Sequence, residues 1–322
     1  MIKKNTEMKK FLVDNCILFE ENVPLSQKTW IKTGGVCSYW ITPCSISQLI
    51  ELCRYLYSNE IKFDLVGQTS NIFFHSTYNP KVVVSTTKIN NYVVDGNDII
   101  CDCGVKVVRL AKDCLTKGCA GFYGLVGLPG TVASALYNNA SCFGCSISSM
   151  LVSADVLQLD GTVRTLIKEE FDFAHRSSAF KRGEKKGVIL SVRLKTEMAA
   201  DIEEEIRKSE GTTAYRKQKQ EGPEKNLGSV FANRVQKRNI KNIIASVLTK
   251  IAGGLQVSDT CVFRKRILLR LYGYRDLDRY ISDKQLNTFV WRDAEAEQMF
   301  ILYKRFMNCV YKDTVIEIEE ME

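Results

Sequence analysis

Two short turns rich in small residues are the first candidates for binding an anionic group. In residues 127–131 a proline is followed by a glycine, as a type II turn requires, and Thr131 is suited to cap a following helix. Backbone N–H groups at such a helix start point outward and suit a pyrophosphate. Residues 67–71 follow the apolar segment 63–66 and form a second turn whose backbone could meet a phosphate. Taken alone, each segment is equally typical of a tight turn that binds no ligand.

The twelve cysteines are the next residues with chemistry to offer. They are scattered through apolar segments of a long chain, which predicts reduced and mostly buried thiols rather than a disulfide framework. Cys101 and Cys103 lie on one face of a predicted strand, and Cys142 and Cys145 form a CxxC pair. A structural zinc site would need two further ligands, and the sequence has two histidines. We therefore predict no metal site.

The composition predicts an ordinary globular protein of two or three compact units. With 322 residues, 45% hydrophobic and 25% charged, the chain is neither disordered nor fibrous. The 45 Lys and Arg against 37 Asp and Glu give a net charge of +8, which is compatible with a nucleotide ligand. The N-terminal apolar stretch is broken by Asp14 and Asn15 and makes a poor signal peptide, and no run approaches the roughly 18 apolar residues of a membrane span. We expect a cytoplasmic protein with no membrane partner.

Hydrophobic periodicity predicts the elements that position these residues. Ser45 and Gln48 form a capping box for a helix with one apolar stripe. Strands are expected at residues 63–66, 82–85, 99–103, 105–108 and 188–194, and a helix at about 108–117. Residues 151–159 and 162–166 should pair as a β-hairpin through Asp160 and Gly161.

Charge patterning marks the second part of the chain. Residues 197–225 are strongly charged, which predicts a domain boundary with one or two exposed helices. From Arg234 to Arg270 there are nine basic residues and one acid. This segment fits either the solvated face of amphipathic helices or a phosphate-facing surface. It contains no groove-reading motif or stacking platform, so we expect no nucleic-acid partner.

Seven segments, taken in order, form a series that extends through most of the chain. The longest is residues 124–151, GLVGLPGTVASALYNNASCFGCSISSML. The others are residues 29–35 (TWIKTGG), 67–71 (GQTSN), 173–178 (FAHRSS), 228–233 (GSVFAN), 281–287 (ISDKQLN) and 316–319 (IEIE). This series resembles the UDP-N-acetylenolpyruvoylglucosamine reductase family (MurB, UDP-N-acetylmuramate dehydrogenase), in the branch that lacks an extra tyrosine-bearing loop. In the family, residues 67–71 read G-G-G-S-N and residues 173–178 read F-x-Y-R-x-S.

The resemblance implies an α+β fold with a two-lobed FAD-binding domain of the vanillyl-alcohol-oxidase (PCMH) type and a smaller α+β substrate domain. It implies FAD-binding lobes over residues 1–80 and 81–197, a substrate domain over 198–306, and a tail over 307–322 that returns a catalytic glutamate. It further implies that NADPH reduces FAD and that the flavin passes a hydride to the enolpyruvyl ether of a UDP-sugar. We expect a monomer.

Hydride addition at C3 of an enolpyruvyl group leaves negative charge at C2 and its carboxylate, so the site needs a cation there and an acid for C2. By resemblance Arg176 stabilises the carboxylate, Ser229 donates the proton and Glu319 assists. Sliding the C-terminal acids by two residues makes Glu317 the alternative to Glu319. The implied cofactor-binding residues are Gly67, Gln68, Thr69, Ser70, Asn71, Gly127, Pro129, Gly130, Thr131 and Asn139, and the substrate-binding residues are Arg216, Gln220 and Asn233.

Several positions depart from the family pattern. Gln68 and Thr69 replace two glycines of the first turn and add side chains where a phosphate should approach closely. His175 stands where the family has Tyr, and Gln285 where it has His. These departures leave two alternatives open: a non-catalytic flavin or UDP-sugar-binding paralogue, and a reductase or oxidase of another nucleotide sugar in surface-polysaccharide synthesis.

Overall fold

Two short segments of the N-terminal half belong to the C-terminal unit of the fold. The computed structural model describes residues 2–222, 225–255 and 259–322. Unit 1 consists of Met1–Lys28, Gly34–Ser70 and Ser76–Thr213, and unit 2 consists of Thr29–Thr33, Asn71–His75 and Ala214–Glu322. The four-part division expected from the sequence stays a prediction.

Helices and strands both occur in each unit, as an α+β fold requires. Among the described residues the helices are α1 (Ile2–Asp14), α2 (Ile46–Ser58), α3 (Val107–Thr116), α4 (Val132–Tyr137), α5 (Ile147–Met150), α6 (Ile202–Lys219), α7 (Ile240–Gly254), α8 (Thr260–Tyr272) and α9 (Ala296–Val310). The strands are β1 (Leu18–Pro24), β2 (Val36–Thr42), β3 (Asp64–Val66), β4 (Ile72–Phe74), β5 (Val82–Ser85), β6 (Tyr92–Asp95), β7 (Asp98–Asp102), β8 (Ser141–Cys142), β9 (Cys145–Ser146), β10 (Leu151–Leu157), β11 (Val163–Ile167), β12 (Val188–Lys195), β13 (Phe231–Gln236), β14 (Tyr311–Ile316) and β15 (Glu319–Met321).

The first sheet of unit 1 has the strand order β1-β2-β5-β3. Strand β5 is parallel to both of its neighbours, and all four of its residues are buried. A continuous apolar run is typical of such a central parallel strand, and the predictions for β3 and β5 are confirmed. Helix α2 adds Leu49, Leu52 and Leu56 to the same core.

The second sheet of unit 1 is antiparallel, with the order β11-β10-β12-β7-β6. The predicted hairpin is confirmed, since β10 pairs with β11 and Gly161 adopts φ +82° in the turn. The predicted strand at 105–108 is wrong because helix α3 already begins at Val107. The N–H of Val107 bonds to Gly130 O at 3.0 Å, and the carbonyl of Val105 accepts from Val132 at 2.8 Å. The chain here therefore binds the second glycine turn instead of joining a sheet.

Of the two hydrogen bonds in the predicted capping box of α2, the one to the Ser45 side chain is confirmed and the one from the Gln48 side chain is not. The Ser45 Oγ accepts from the Gln48 N–H at 3.2 Å. In a capping box the Gln48 side chain would bond to the Ser45 N–H, but its Oε1 accepts from the Cys44 N–H at 2.8 Å. Its Nε2 donates to the carbonyl of Cys16 at 3.0 Å, so Gln48 also holds the segment that follows α1.

Unit 2 is built around aromatic side chains. Its strands form the antiparallel pair β13 and β14 and the parallel pair β4 and β15. Among its fully buried rings are Phe73, Phe289, Phe300, Tyr303 and Phe306, three of them on α9. Phe289 contacts Phe300 edge-on, with the ring centroids 5.1 Å apart. Segment Asn71–His75 therefore contributes both a strand and a core ring to unit 2.

The twelve cysteines are free thiols, and seven of them are buried. Burial raises the pKa of Cys101 and of Cys103 to about 12 each, so both stay protonated at neutral pH. Burial also raises the pKa of Cys145, the second residue of the CxxC pair. These shifts favour structural thiols. Across the described part of the chain, no helix has the length and apolar character needed to cross a bilayer.

Candidate functional site

The two glycine turns predicted to bind phosphate lie against each other in unit 1. The Gln68 Oε1 accepts a hydrogen bond from the Gly130 N–H at 2.9 Å. A Cβ added to Gly67 would lie 2.6 Å from the Thr131 Oγ1, closer than real side chains approach. Gly67 is therefore required by the packing of one turn on the other, which sequence spacing alone does not reveal.

Thr131 caps helix α4, as the sequence predicts. Its Oγ1 accepts from the Ser134 N–H at 3.4 Å, and the Ser134 Oγ accepts from the Thr131 N–H at 2.9 Å. The preceding Gly130 adopts φ +121°, a conformation that disfavours any side chain. Pro129 and Gly130 thus bring the chain sharply into the helix, as their order in the sequence indicates.

The side chains that replace the family's glycines in the first turn have defined places. Thr69 is buried and adopts φ +55°, a left-handed conformation that glycine adopts more easily. Gln68 offers a neutral oxygen to a backbone donor that a phosphate oxygen could otherwise use. Because this side chain is long and flexible, releasing the donor costs about one hydrogen bond, roughly 1 kcal/mol. The paired turns therefore still fit the phosphates of FAD.

Arg176 is held at the tip of a tight turn in unit 1. Ala174 and Ser177 exchange backbone hydrogen bonds at 3.0 and 3.1 Å, and Arg176 between them adopts φ +54°. A non-glycine residue in this region costs on the order of 1–3 kcal/mol and is found disproportionately at functional sites. The Asn139 Nδ2 donates to the Ala174 carbonyl at 2.6 Å, and the Ser148 Oγ donates to the Asn139 Oδ1 at 2.5 Å. Asn139, predicted to bind the cofactor, thus supports the turn that carries Arg176.

Ser229 is exposed in unit 2, and a buried asparagine fixes the chain two residues after it. Gly228 precedes it with φ +75°, and Ser229 itself forms a bridge with Thr288. The Asn287 Oδ1 accepts from the Phe231 N–H at 3.1 Å, and its Nδ2 donates to the Phe231 carbonyl at 3.0 Å. Asn287 is the last residue of the segment ISDKQLN. Its two bonds connect that segment to the strand that follows Ser229.

The C-terminal segment brings both candidate glutamates to this part of unit 2. The Glu317 N–H donates to the Val230 carbonyl at 2.8 Å, next to Ser229 in the chain. The Glu319 N–H donates to the Asn71 carbonyl at 2.9 Å, and the Asn71 Nδ2 donates to the Glu317 carbonyl at 3.2 Å. Asn71, the last residue of the first predicted phosphate turn, therefore joins the C-terminal segment in unit 2. Both glutamates are partly buried, so either fits the role predicted for Glu319.

His75 makes polar contacts that the sequence did not indicate. Its Nδ1 lies 3.0 Å from the Glu297 Oε1, and its Nε2 lies 3.3 Å from the Glu320 Oε2. The ligating atoms of His75, Glu320 and Glu322 lie within 4.8 Å of one another, as a metal site would require. Lys304 already places its ammonium 2.7 Å from the Glu320 Oε2, which favours an ion-pair network. These residues are far apart in sequence, so no spacing could have indicated the cluster.

The residues predicted to bind the substrate lie in two places within unit 2. Arg216 is in the last turn of α6, and the Gln220 N–H donates to its carbonyl at 2.8 Å. Both side chains are half-buried and lie one turn apart. Asn233 is exposed on β13, opposite Val315 of β14.

The class of protein follows from a match to a known family. Residues 38–167 match the family model described as FAD binding domain, and both glycine turns fall inside this range. The chain is thus a flavin-binding protein of the α+β class, as predicted.

Relatives with known names give the particular family. The chain is 32% identical over 241 residues to the UDP-N-acetylenolpyruvoylglucosamine reductase 2 of Bacillus cereus, covering 73% of this chain and 76% of that protein. It is 28% identical over 262 residues to the reductase of Latilactobacillus sakei, covering 79% and 84%. The chain belongs to the UDP-N-acetylenolpyruvoylglucosamine reductase family, which confirms the resemblance read from the sequence.

A solved structure supports the fold. The crystal structure of the reductase (MurB) from Thermus caldophilus superposes with a TM-score of 0.68 at 22% sequence identity. The match covers 95% of this chain and 100% of that one. The fold therefore extends through unit 2 as well as through the flavin-binding segment.

Proposed function

We propose that this protein is an NADPH-dependent flavin reductase that converts UDP-N-acetylenolpyruvoylglucosamine to UDP-N-acetylmuramate in the cytoplasm, for peptidoglycan synthesis. The observation that carries the proposal is the hydrogen bond from Glu317 to Val230, which brings the C-terminal glutamates to the segment of Ser229. Family membership supplies the substrate named for the relatives. Reduction of an enolpyruvyl ether requires an acid that protonates C2, and Ser229 is the candidate for it.

The paired turns of unit 1 would hold FAD. Backbone N–H groups of Gly67, Ser70 and Gly130 suit its pyrophosphate. The first N–H groups of α4 are already bonded within unit 1, that of Thr131 to the Ser134 Oγ and that of Val132 to the Val105 carbonyl. Bound there, FAD would accept a hydride from NADPH and pass one to C3 of the enolpyruvyl group. Reorientation of Gln68 would free the Gly130 N–H for a phosphate oxygen.

Arg176 would stabilise the negative charge that develops at the substrate carboxylate. Its guanidinium is permanently charged and offers two parallel N–H donors to a carboxylate. The strained turn fixes the backbone at Arg176, and Asn139 and Ser148 support that turn. A cation fixed before the reaction needs no reorganisation as charge develops, which is the main source of such stabilisation.

Ser229 would protonate C2 after hydride has reached C3. A serine hydroxyl is a weak acid in water, so its action depends on a fixed position beside the developing negative charge. Asn287 fixes that position through its two bonds to Phe231. Glu319, or Glu317 in its place, would assist as a protonated acid that donates a hydrogen bond to the substrate carboxylate.

The half-buried side chains of Arg216 and Gln220, together with Asn233, would bind the UDP-sugar. A guanidinium suits the diphosphate group, and the two amides suit the hydroxyl and amide groups of the nucleotide and sugar. We expect the protein to act as a monomer on this small substrate.

One observation favours a competing function, a flavin or UDP-sugar-binding paralogue without turnover. The bond from Gly130 to Gln68 occupies a donor that the phosphates of FAD would use. In that case the Gln68 side chain would remain bound, and the purified chain would take up FAD weakly or not at all.

Coupled turnover distinguishes these functions. The chain, purified and supplied with FAD, is incubated with NADPH and UDP-N-acetylenolpyruvoylglucosamine, and the product is weighed by mass spectrometry. We expect NADPH to be consumed in step with a product heavier than the substrate by two hydrogen atoms. Consumption of NADPH with the substrate unchanged would contradict the proposed substrate and favour another nucleotide sugar.

A further inference from the structure

Helix α7 turns its aliphatic side chains to solvent and its small side chains to the core. The residues that it buries are Asn242, Ala245 and Ala252. The exposed aliphatic residues retain 40 to 76% of their accessible surface. They are Ile240, Ile243, Ile244, Val247, Leu248 and Ile251, with Leu255 directly after the helix. This is the reverse of an ordinary surface helix, which buries its large apolar side chains.

A buried polar side chain fixes this rotation of the helix. Asn242 is 1% exposed, and its Nδ2 donates to the carbonyls of Lys237 and Val310, each at 2.8 Å. Its Oδ1 accepts from the Tyr272 hydroxyl at 3.1 Å. Turning the aliphatic residues inward would break these bonds and leave buried polar groups without partners, which is unfavourable. The outward direction of the aliphatic face is therefore specified by the sequence.

Basic residues border this face on both sides. At about 100° per residue, the aliphatic side chains span an arc of about 140°, with Lys241 on one margin and Lys250 on the other. Both lysines are exposed, as is Arg238 just before the helix. Among the described residues these three cations have no carboxylate partner, and the Lys241 ammonium lies 4.9 Å from the centre of the Tyr272 ring. Asp259, the one acid between Arg234 and Arg270, instead caps α8 by accepting from the Val262 N–H at 3.3 Å.

We propose that α7 is the docking surface through which this protein binds an anionic phospholipid membrane. An aliphatic arc bordered by lysines is the pattern of helices that lie in the membrane interface, with the apolar side chains at the acyl boundary. The stems of Lys241 and Lys250 would extend along the apolar surface and bring their ammonium groups to the phosphates. With 15 residues, α7 lies on the membrane and is too short to span it.

The charge of the margins decides between a membrane and a second copy of the chain. A two-fold dimer through α7 would set the two basic margins against each other, and like charges in contact are unfavourable. An anionic surface neutralises both margins at once, because each basic residue near the lipid is attracted to its phosphates. The expectation of no membrane partner rests on the lack of a spanning segment and on a solvated basic face. The sequence does not reveal that the apolar residues within the basic segment face outward.

The test uses the full-length, flavin-loaded protein and sedimentation with lipid vesicles. One set of vesicles is phosphatidylcholine alone, and the other contains phosphatidylcholine and phosphatidylglycerol in equal parts. We expect a partition coefficient at least about tenfold higher for the anionic vesicles, falling as salt is raised. Val247→Glu and Ile251→Glu each place a carboxylate within the arc and should lower it at least about tenfold.

Ile100→Glu is the matched control, since Ile100 is 56% exposed on β7 of unit 1. It should bind vesicles as the parent does, and all three variants should keep the flavin spectrum and the rate of NADPH oxidation. Equal partition into the two kinds of vesicle, or anionic binding unchanged by Val247→Glu, would overturn the proposal. A dimer in sedimentation velocity that Val247→Glu dissociates, without preference for anionic vesicles, would assign the face to a second copy instead.

Discussion

Units 1 and 2 are stabilised by different kinds of core. Unit 1 packs mainly aliphatic and cysteine side chains from its sheets and helices, among them Cys101, Leu110, Cys114 and Val192. Unit 2 packs rings, with Phe289 in contact with four other aromatic side chains. Nearly all of the segment that matches the FAD binding domain lies in unit 1.

The two units also fix their candidate site residues in different ways. In unit 1 the two glycine turns depend on close packing, as Gly67 against Thr131 shows. In unit 2 a few buried asparagines fix the backbone, and the remaining surface of α7 carries exposed aliphatic residues. Variants of the Ser229 segment should therefore slow substrate reduction while FAD stays bound, and variants of the two glycine turns should change the affinity for FAD.

The largest effect is expected for Ser229→Ala in unit 2. Loss of a positioned acid should slow reoxidation of the reduced flavin by substrate at least about 100-fold. Reduction by NADPH should be unchanged, because Ser229 has no role in it. Stopped-flow absorbance separates the two half-reactions, with Ser246→Ala on α7 as control. Equal losses in both half-reactions would remove the assigned role.

Asn287→Ala tests whether the segment of Ser229 depends on its buried support. The substitution leaves the N–H and carbonyl of Phe231 without their side-chain partner, which should cost about 2 kcal/mol of unfolding free energy. Reoxidation by substrate should slow while FAD remains bound. Urea denaturation measures the stability, and Asn90→Ala in unit 1 is the control. A variant as stable and as active as the parent would show that the segment is held by other contacts.

Gln68→Glu tests the first turn of unit 1. A carboxylate beside the Gly130 N–H would compete with the phosphates of FAD and repel them, which should raise the FAD dissociation constant about tenfold. Gln68→Gly should bind FAD at least as tightly as the parent. Titration of apoprotein with FAD, followed by flavin fluorescence, measures both. Unchanged binding by Gln68→Glu would place the phosphates elsewhere.

The smallest effect is expected for His75→Gln. The two ring nitrogens of His75 lie within hydrogen-bonding distance of Glu297 and Glu320, whereas the glutamine amide replaces one of these contacts at most. We expect strand β15 to be destabilised by about 1 kcal/mol, so its amides should exchange hydrogen roughly fivefold faster. Hydrogen exchange read by mass spectrometry on the C-terminal peptide tests this. Lys168→Gln in unit 1 should leave that peptide unchanged.

The elements of unit 1 could be predicted because its strands and caps obey local rules. Strand β5 is a continuous apolar run, and Asp160 with Gly161 marks the hairpin turn. The strand predicted at residues 105–108 was wrong because the valine pattern does not show where the backbone hydrogen bonds of this segment go. The competing bonds of Val105 and Val107 come from the second glycine turn, which is distant in sequence.

The candidate site could be predicted only in part. The glycine turns and the segments around Arg176, Ser229 and Glu319 carry recognisable residue orders. The supporting roles of Asn139, Asn287 and His75 could not be predicted, since each side chain contacts a group that is far away in the sequence. The outward face of α7 was missed for a similar reason, because periodicity shows that an apolar stripe exists without showing which way it turns.

An anaerobic absorbance titration tests the central claim most directly. The purified protein is reduced with NADPH and then mixed with UDP-N-acetylenolpyruvoylglucosamine while the flavin spectrum is followed. We predict a yellow protein that bleaches with NADPH and regains its oxidised spectrum on addition of the enolpyruvyl sugar. A colourless protein that takes up no FAD, or a bleached flavin that the sugar does not reoxidise, would contradict the assigned reaction.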